Sequence, residues 1–263
     1  MKDFFDTNRS LWDKKVDFHK NSEMYDMEHF LQGKNMLNEI ELQALGDVKG
    51  KSLLHLQCHF GQDSLCWARM GAKVTGVDLS PKSLELARQL NDQLGMDVNF
   101  IESNVLELKE HLNGQYDIVF TSYGTYAWLP DLTQWASVIH HFLKPGGIFF
   151  IADFHPVLYM YDFPSKEFRY NYFNNGKPYE ETNQGTYTDF NAQINHKEYF
   201  WNHGLSEILG PLLHHGLVLE EFREFPYSPY NCFENMVEVE KGKYVYNPEI
   251  TIPHVFSFKM RKK

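Results

Sequence analysis

Two features at a fixed spacing could together hold a cofactor that contains a ribose. The segment "LLHLQCHFG", Leu53 to Gly61, is typical of a buried strand that runs into a tight turn before a helix, and such turns commonly hold nucleotide-like cofactors. Asp78 follows 17 residues after Gly61, at the end of the strand-like segment "VTGVD". A carboxylate there can accept hydrogen bonds from both ribose hydroxyls of an adenosyl group. Its alternative role is to stabilise the start of the helix near Pro81.

Further side chains stand at the ends of other predicted strands. Ligands of open parallel sheets bind beyond the carboxyl ends of the strands, where the strand order reverses. The candidate binding residues at these ends are Leu79, Asn104, Val105, Ser122 and Tyr123. His155 directly follows the segment "IADF", and Pro156 restricts the turn behind it. We interpret His155 as the candidate general base, with a purely structural histidine as the alternative.

The elements that would position these residues alternate between strands and helices. From Lys51 onward, short apolar segments such as "KVTGVD" and "YDIVFTS" are separated by amphipathic stretches. Ser80 as N-cap, Pro81 at the first helical position and Gly95 as terminator predict a helix in "SPKSLELARQLNDQLG". Strands that alternate with helices of about 10–15 residues predict βαβ units and a doubly wound, mostly parallel sheet.

The chain divides into an N-terminal helical segment, residues 1–46, and an α/β domain, residues 47–263. The alternation of strands and helices breaks at about 156–200, a stretch rich in Tyr, Asn and Gly that predicts an inserted antiparallel hairpin or loop. A second irregular stretch covers about 226–253 and leads to a last strand, "HVFSFKM".

The order of these segments resembles the class I S-adenosylmethionine-dependent methyltransferases of small-molecule type. The segments "LLHLQCHFG", "VTGVDLS", "FIESNV", "YDIVFTSYGTY" and "LKPGGIFFIAD" carry the resemblance, which covers about residues 35–155 well. It implies a Rossmann-like sheet of seven strands, with the last strand antiparallel and inserted beside the fifth. It also implies S-adenosylmethionine as the cofactor and a small molecule as the methyl acceptor.

The resemblance assigns parts of the cofactor to individual residues. Asp78 would bind the ribose, Asn104 would accept from the adenine amino group and Val105 would pack on the adenine. Ser122 and Tyr123 match the place where the family contacts the methionine part. An aspartate is common at the position of Asn104. The side-chain carbonyl of asparagine can still accept the hydrogen bond from the adenine amino group, but without the charge assistance that a carboxylate would give.

The loop after the first strand departs from the family pattern. Where the family's glycine loop resembles "DLGCGTG", this chain has "HLQCHFG". His55 replaces a usual acid, Gln57 and His59 replace usual glycines, and Gly61 is kept. Gln57 and His59 must hold ordinary dihedral angles or strain the loop. We interpret the segment as a variant cofactor loop, similar to a "HLQCH.G" version in a subset of bacterial members, with side-chain donors in place of some backbone contacts.

The N-terminal helices would form a lid that excludes water from a reactive sulfonium, as in many small-molecule members of the family. The lid candidates are Trp12, His19, Ser22 and Tyr25; alternatively, these residues only pack the helices onto the sheet. Residues that follow the fourth and fifth strands or end the insertion are candidates for the walls of the substrate pocket. They are Tyr126, Trp128, Tyr159, Tyr161, Trp201 and His203.

Composition narrows the possible partners and compartments. A net charge of −10 disfavours a nucleic-acid substrate, since the only dense basic run is the terminal "KMRKK". Three scattered cysteines without a CxxC pair, and 13 His without metal-ligand spacing, indicate neither a disulfide framework nor a metal site. The charged first residues and the lack of a long apolar run predict a cytoplasmic protein without a membrane partner, either a monomer or a homodimer.

Besides a methyltransferase that acts on RNA or protein, two functions of other classes remain open from the sequence. A nicotinamide-dependent oxidoreductase would share the strand, the loop and the ribose-binding acid, but it needs a G-x-G-x-x-G loop for the pyrophosphate, and this chain has none. The altered loop is also compatible with a non-catalytic methyltransferase-like protein that binds an adenosyl ligand or a partner.

Overall fold

A computed structural model describes residues 2–163, 165 and 167–263 of the chain. The strands are β1 (Ser52–Leu56), β2 (Lys73–Asp78), β3 (Asn99–Glu102), β4 (Tyr116–Ser122), β5 (Leu143–Phe154), β6 (Tyr161–Asp162), β7 (Glu167–Phe168), β8 (Tyr179–Gln184), β9 (Asn195–Phe200), β10 (Leu217–Phe225), β11 (Val237–Glu240), β12 (Lys243–Val245) and β13 (Val255–Lys262). The α-helices are α1 (Lys2–Lys20), α2 (Met27–Leu31), α3 (Glu39–Leu45), α4 (Gln62–Arg69), α5 (Pro81–Gln93), α6 (Leu132–Phe142) and α7 (Leu205–His214).

Seven strands form one central sheet in the order β10-β13-β5-β4-β1-β2-β3. Strands β1 to β5 pair in parallel, whereas β13 is antiparallel to both β5 and β10. The predicted fold is therefore confirmed, including the antiparallel last strand beside the fifth. The strand order reverses between β1 and β4, which is the place where sheets of this kind bind ligands.

Local sequence signals explain where the helices begin. The Ser80 hydroxyl accepts a 3.0 Å hydrogen bond from the Ser83 N–H, and Pro81 occupies the first helical position of α5. Asp131 caps α6 in the same way. One boundary differs from the sequence expectation, because "KPGG" lies inside β5 instead of preceding it. Leu143 already pairs with Tyr116, and a register shift after this pair accommodates the extra residues.

The core lies on both faces of the sheet, as the alternation of side chains along parallel strands requires. Leu53 and Phe150 belong to one buried layer, under α4 and α5. Leu54 and Phe149 belong to the opposite layer, under α6 and α7. A sheet covered on both faces leaves its carboxyl-end edge as the accessible place for a ligand.

Helices and hairpins outside the sheet close over that edge. Helix α1 packs along β9, where the Asn8 side chain donates to the Tyr199 carbonyl at 2.7 Å and accepts from the Tyr199 N–H at 2.9 Å. The pairs β6–β7 and β8–β9 lie in the segment expected to be an antiparallel insertion, and β11–β12 lies in the second irregular stretch. None of the helices in the described residues is sufficiently long and apolar to cross a membrane.

Candidate active site

A cavity of about 690 Å³ lies at the carboxyl ends of β1, β2 and β4. Its floor comes from the loops after these strands, and its walls come from α1 and from the β8–β9 hairpin. Predicted site residues that line it are Trp12, Tyr25, Gln57, His59, Gly61, Asp78, Leu79, Asn104, Val105, Ser122, Tyr123, Trp128, Tyr159 and Tyr161. The structure thus brings the predicted cofactor residues and three of the six predicted wall residues to one place.

The loop after β1 adopts the backbone of a glycine loop without its usual glycines. Gln57 and His59 have φ angles of 56° and 50°, and Gly61 has a φ of 73°. The left-handed region costs a residue with a side chain roughly 1–2 kcal/mol. Such strained positions cluster at functional sites, where surrounding contacts hold them. The sequence left two possibilities for Gln57 and His59, ordinary dihedral angles or a strained loop, and the structure shows the strained loop.

Side-chain contacts hold His59 in this conformation. One ring nitrogen of His59 lies 2.9 Å from Nδ1 of His19, and the other lies 2.9 Å from the Ser83 hydroxyl. Burial lowers the pKa of His59 to about 3, so its ring is neutral near pH 7. His19 belongs to α1, which means that the N-terminal helix helps to fix the loop.

Gln57 lines the cavity and carries a buried acceptor. Its Nε2 donates to the Thr125 carbonyl at 2.9 Å, while its Oε1 is buried and has no hydrogen-bond partner among the described residues. A buried carbonyl of this kind is normally satisfied by a ligand or a water. His55, at the position of the family's usual acid, instead binds the Ser64 hydroxyl at 2.8 Å, and burial lowers its pKa to about 3.

Asp78 lies at the end of β2 with its carboxylate at the cavity. Oδ2 accepts from the His59 N–H and Oδ1 from the Ser80 N–H, each at 2.8 Å. Burial raises the pKa of this carboxyl to about 6. Each oxygen keeps a lone pair for a further donor, so the group can hold a diol in addition to these backbone contacts.

Asn104 and Val105 border the cavity after β3. The Asn104 side-chain oxygen accepts from the Leu106 N–H at 3.1 Å and caps a short 3₁₀ helix, Val105–Glu110. The Asn104 carbonyl therefore already has one partner, which the sequence did not indicate. Val105 is 4% exposed and offers an apolar surface to a flat ring.

A pair of carboxyl groups that the sequence reasoning missed lies beside Ser122 and Tyr123. The Ser122 hydroxyl donates to Asp63 at 3.4 Å, and the Tyr123 hydroxyl donates to Glu41 at 3.1 Å. Burial raises the pKa of Asp63 to about 6 and that of Glu41 to about 8. Asp63 lines the cavity. It is the second residue of α4, the helix that directly follows the predicted cofactor loop, and this position in the sequence could have identified it as a candidate.

Helix α1 presents one face to the cavity and its surroundings. Phe5, Asn8, Trp12 and Lys15 line the cavity at a spacing of three and four residues, which is one side of a helix. His19 continues this face and lies behind His59. Ser22 is engaged with the His19 carbonyl at 2.7 Å instead of the cavity. Lys15 was missed, although this periodicity could have identified it.

Besides His19 and Ser22, four predicted site residues lie away from the cavity. The His155 ring faces Glu224 on β10, with Nε2 3.0 Å from a carboxylate oxygen, so the proposed base is wrongly placed. Tyr126 is fully buried and donates to the Phe154 carbonyl. Trp201 is buried and its ring packs on Phe4. His203 is buried and donates to the Leu129 carbonyl at 2.7 Å.

The strand order and the position of this cavity are those of the Rossmann-like methyltransferase fold. Residues 53–147 match the family model for a methyltransferase domain. Over the residues that the structure describes, no group of three or more His, Cys, Asp or Glu is arranged to hold a metal ion.

Similar proteins agree with this class. An uncharacterized methyltransferase of Synechocystis sp. is 33% identical over 128 residues, which are 47% of this chain and 56% of that protein. A ubiquinone biosynthesis O-methyltransferase of Shewanella pealeana is 32% identical over 116 residues, 44% of this chain and 48% of that protein. The chain thus spans about half the length of the curated relatives that it matches. A putative S-adenosylmethionine dependent methyltransferase from Listeria monocytogenes has the same fold, with a TM-score of 0.57 and 18% identity, over 85% of this chain and 97% of that one.

Proposed function

We propose that this protein transfers a methyl group from S-adenosylmethionine to a small molecule. The observation that carries the proposal is the joint position of Asp78 and the left-handed loop from Gln57 to Gly61 at the point where the strand order reverses. This arrangement offers a ribose-binding carboxylate and a close-approach loop. It lacks the glycine pattern that a pyrophosphate requires, which favours a phosphate-free adenosyl cofactor over a nicotinamide dinucleotide.

The described residues fit the parts of that cofactor. Asp78 would accept from the ribose hydroxyls, and Val105 with Asn104 would border the adenine. The buried, unpartnered Oε1 of Gln57 and the carboxyl group of Asp63 would accept from the ammonium of the methionine part. The cofactor supplies a methyl group on a good, neutral leaving group, so alignment of the acceptor is the main task of the protein.

Helix α1 and the β8–β9 hairpin would keep water away from the sulfonium. Trp12 packs edge-on against both His59 and Trp128, with ring centroids 5.2 and 5.4 Å apart. The hydroxyls of Tyr25 and Tyr187 form a hydrogen bond across the top of the loop. These contacts support residues 1–46 as a lid on a site for a small acceptor.

Calorimetry with S-adenosylhomocysteine and with NADH tests the proposal. We expect binding of S-adenosylhomocysteine and no binding of NADH; the reverse result would indicate the oxidoreductase. Absence of heat with both ligands up to millimolar concentration would contradict the proposal. Mass spectrometry of the purified protein for a retained adenosyl ligand is an independent check. Incubation of the protein with a labelled methyl donor and a metabolite extract then separates an active enzyme from a binding protein, because only the enzyme labels a small molecule.

A further inference from the structure

Lys15 carries a buried amine at the cavity, and the proposed cofactor contacts do not involve it. Its side chain is 6% exposed, yet the residue lines the cavity. Nζ forms no hydrogen bond within the described part of the chain, and the nearest carboxylate oxygen, on Glu198, lies 3.8 Å away. A lysine amine carries N–H donors in either protonation state, so a nearly buried one without an acceptor indicates a partner that the protein itself does not supply.

Three aromatic rings surround this nitrogen. Nζ lies 5.1 Å from the ring centroid of Trp12 and 5.9 Å from those of Trp128 and Tyr187. Rings at these distances stabilise the ammonium that forms when Nζ takes a proton. They also form flat walls that suit a planar acceptor. Further along, the same cavity is lined by Tyr159, Phe163 and Phe200.

The groups around Lys15 favour a proton acceptor at this position. Burial lowers the pKa of Lys15, while Glu198 opposes this shift. The titratable side chains that face Lys15 are Glu198 on β9, which also contacts His196, Tyr187 before β9, His19 on α1 and His59 on the loop after β1. His19 and His59 are poor bases, because burial lowers the pKa of both.

We propose, on the basis of the proposed function, that Lys15 is a catalytic residue that takes the proton of a phenolic hydroxyl on a planar methyl acceptor. The O–H bond breaks and the proton goes to the lone pair of Nζ, which starts as a neutral amine and which Glu198 then stabilises as an ammonium. The phenolate oxygen forms a bond to the methyl carbon while the S–C bond breaks and its electron pair stays on sulfur. The products are a methyl ether and S-adenosylhomocysteine, and Lys15 returns its proton to water.

The acidity of the two groups selects a phenol among oxygen nucleophiles. A phenol and a lysine ammonium have similar ordinary pKa values, about 10 and about 10.4. Burial lowers the pKa of Lys15 and Glu198 opposes this shift, so the difference from a phenol stays far smaller than the difference from an aliphatic alcohol. An aliphatic alcohol is far too weak an acid for this transfer, and a carboxylic acid is already ionised and needs no base.

The experiment uses 4-nitrophenol as the probe, because its absorbance reports whether it is ionised. The protein is saturated with S-adenosylhomocysteine at a pH below the solution pKa of the probe. We expect bound 4-nitrophenol to show the phenolate absorbance with the natural protein and with Lys14→Met, which changes an exposed neighbour on the same helix. With Lys15→Met we expect the phenolate signal to disappear and affinity for the probe to fall at least tenfold. Affinity for 4-nitroanisole, which has the same ring and no proton, should stay the same in all three proteins.

The outcomes separate the two proposals. If S-adenosylhomocysteine binds but 4-nitrophenol binds un-ionised or not at all, the role of Lys15 is overturned and the proposed function is unaffected. A phenolate signal that survives in Lys15→Met overturns it as well. If S-adenosylhomocysteine itself does not bind, the proposed function fails. Unchanged affinity of Lys15→Met for S-adenosylhomocysteine shows that this variant is folded.

Discussion

The backbone N–H of His59 donates a 2.8 Å hydrogen bond to Oδ2 of Asp78. This contact joins the loop after β1 to the end of β2, two segments whose roles the sequence suggested separately. Because His59 is also held by His19 of α1, the carboxylate, the loop and the N-terminal helix form one connected unit. A change in any of the three is therefore expected to affect binding of the methyl donor.

Asp78→Asn should weaken binding of S-adenosylhomocysteine by about 1.5–3 kcal/mol, because the charge-assisted contact with the ribose is lost. In the natural protein, the raised pKa of about 6 means that Asp78 becomes protonated as the pH falls through this value. Donor affinity should therefore decrease below about pH 6 in the natural protein and depend less on pH in the variant. Calorimetry from pH 5 to pH 8 measures both effects, with Asp92→Asn on the exposed side of α5 as the control. Equal affinities of Asp78→Asn and the natural protein would refute the ribose contact.

The two left-handed residues of the loop should respond differently to glycine. Glycine removes the backbone strain at either position. Gln57→Gly loses one hydrogen bond, to the Thr125 carbonyl, and should change the free energy of unfolding by less than about 1 kcal/mol. His59→Gly loses its bonds to His19 and Ser83 and the packing of its ring, and should be destabilised by about 2 kcal/mol. Urea unfolding measures both values; equal values would show that the side chain of His59 does not support the loop.

Gly61→Ala should be more destabilising than Gly95→Ala. Both glycines have positive φ angles, 73° and 60°, so alanine is strained at either position. A Cβ atom at residue 61 would lie 2.6 Å from the Phe100 ring, whereas at residue 95 no described atom lies within 4 Å. We expect losses of about 1 kcal/mol for Gly95→Ala and about 2–4 kcal/mol for Gly61→Ala, measured by chemical denaturation. Similar losses at the two sites would mean that Phe100 moves aside freely.

Glu41→Gln should stabilise the protein increasingly as the pH rises. Burial raises the pKa of Glu41 to about 8, so between its ordinary value and pH 8 the folded protein holds a proton that the unfolded chain has lost. The stability of the natural protein therefore falls across this window, by at most about 1.4 kcal/mol per pH unit for one proton. Glutamine keeps the shape without the charge. Thermal unfolding from pH 5 to pH 8 should show a widening gap, and the exposed Glu39→Gln on the same helix should show none. If the difference in stability between Glu41→Gln and the natural protein did not change with pH, the raised pKa of Glu41 would be contradicted.

His155→Ala should leave donor affinity within about twofold of the natural protein and lower stability by about 1–2 kcal/mol, because His155 pairs with Glu224 outside the cavity. Calorimetry with S-adenosylhomocysteine and urea unfolding measure these two quantities. If His155→Ala kept the stability of the natural protein but bound the donor much more weakly, His155 would have to be part of the binding site.

The sequence predicted the sheet well because its signals are local. The Ser80 cap, Pro81 and the apolar runs depend on near neighbours, and the place of Asp78 follows from the end of its strand. The failure at His155 has a simple geometric cause. Side chains alternate along a strand, so Phe154 lines the cavity while His155 faces Glu224. The sequence predicted the end of β5 correctly, but it did not predict which face of the sheet the His155 side chain would be on.

Lys15 shows a different limit of sequence reasoning. A lysine on an amphipathic helix normally extends into solvent. Its burial depends on Trp128 and on the β8–β9 hairpin, which are far away along the chain. Helical spacing could place Lys15 on the same face as Trp12, but only the tertiary structure shows that this face is covered.

The hydrogen bond between Tyr25 and Tyr187 joins residues 162 positions apart. During synthesis on a ribosome, β1 to β5 emerge and can pair well before the β8–β9 hairpin exists. A nascent chain at that stage has the floor of its cavity but not its roof. Tight retention of a ligand should therefore begin late in translation, and chains that stop before residue 187 should have an open floor that exchanges ligand quickly.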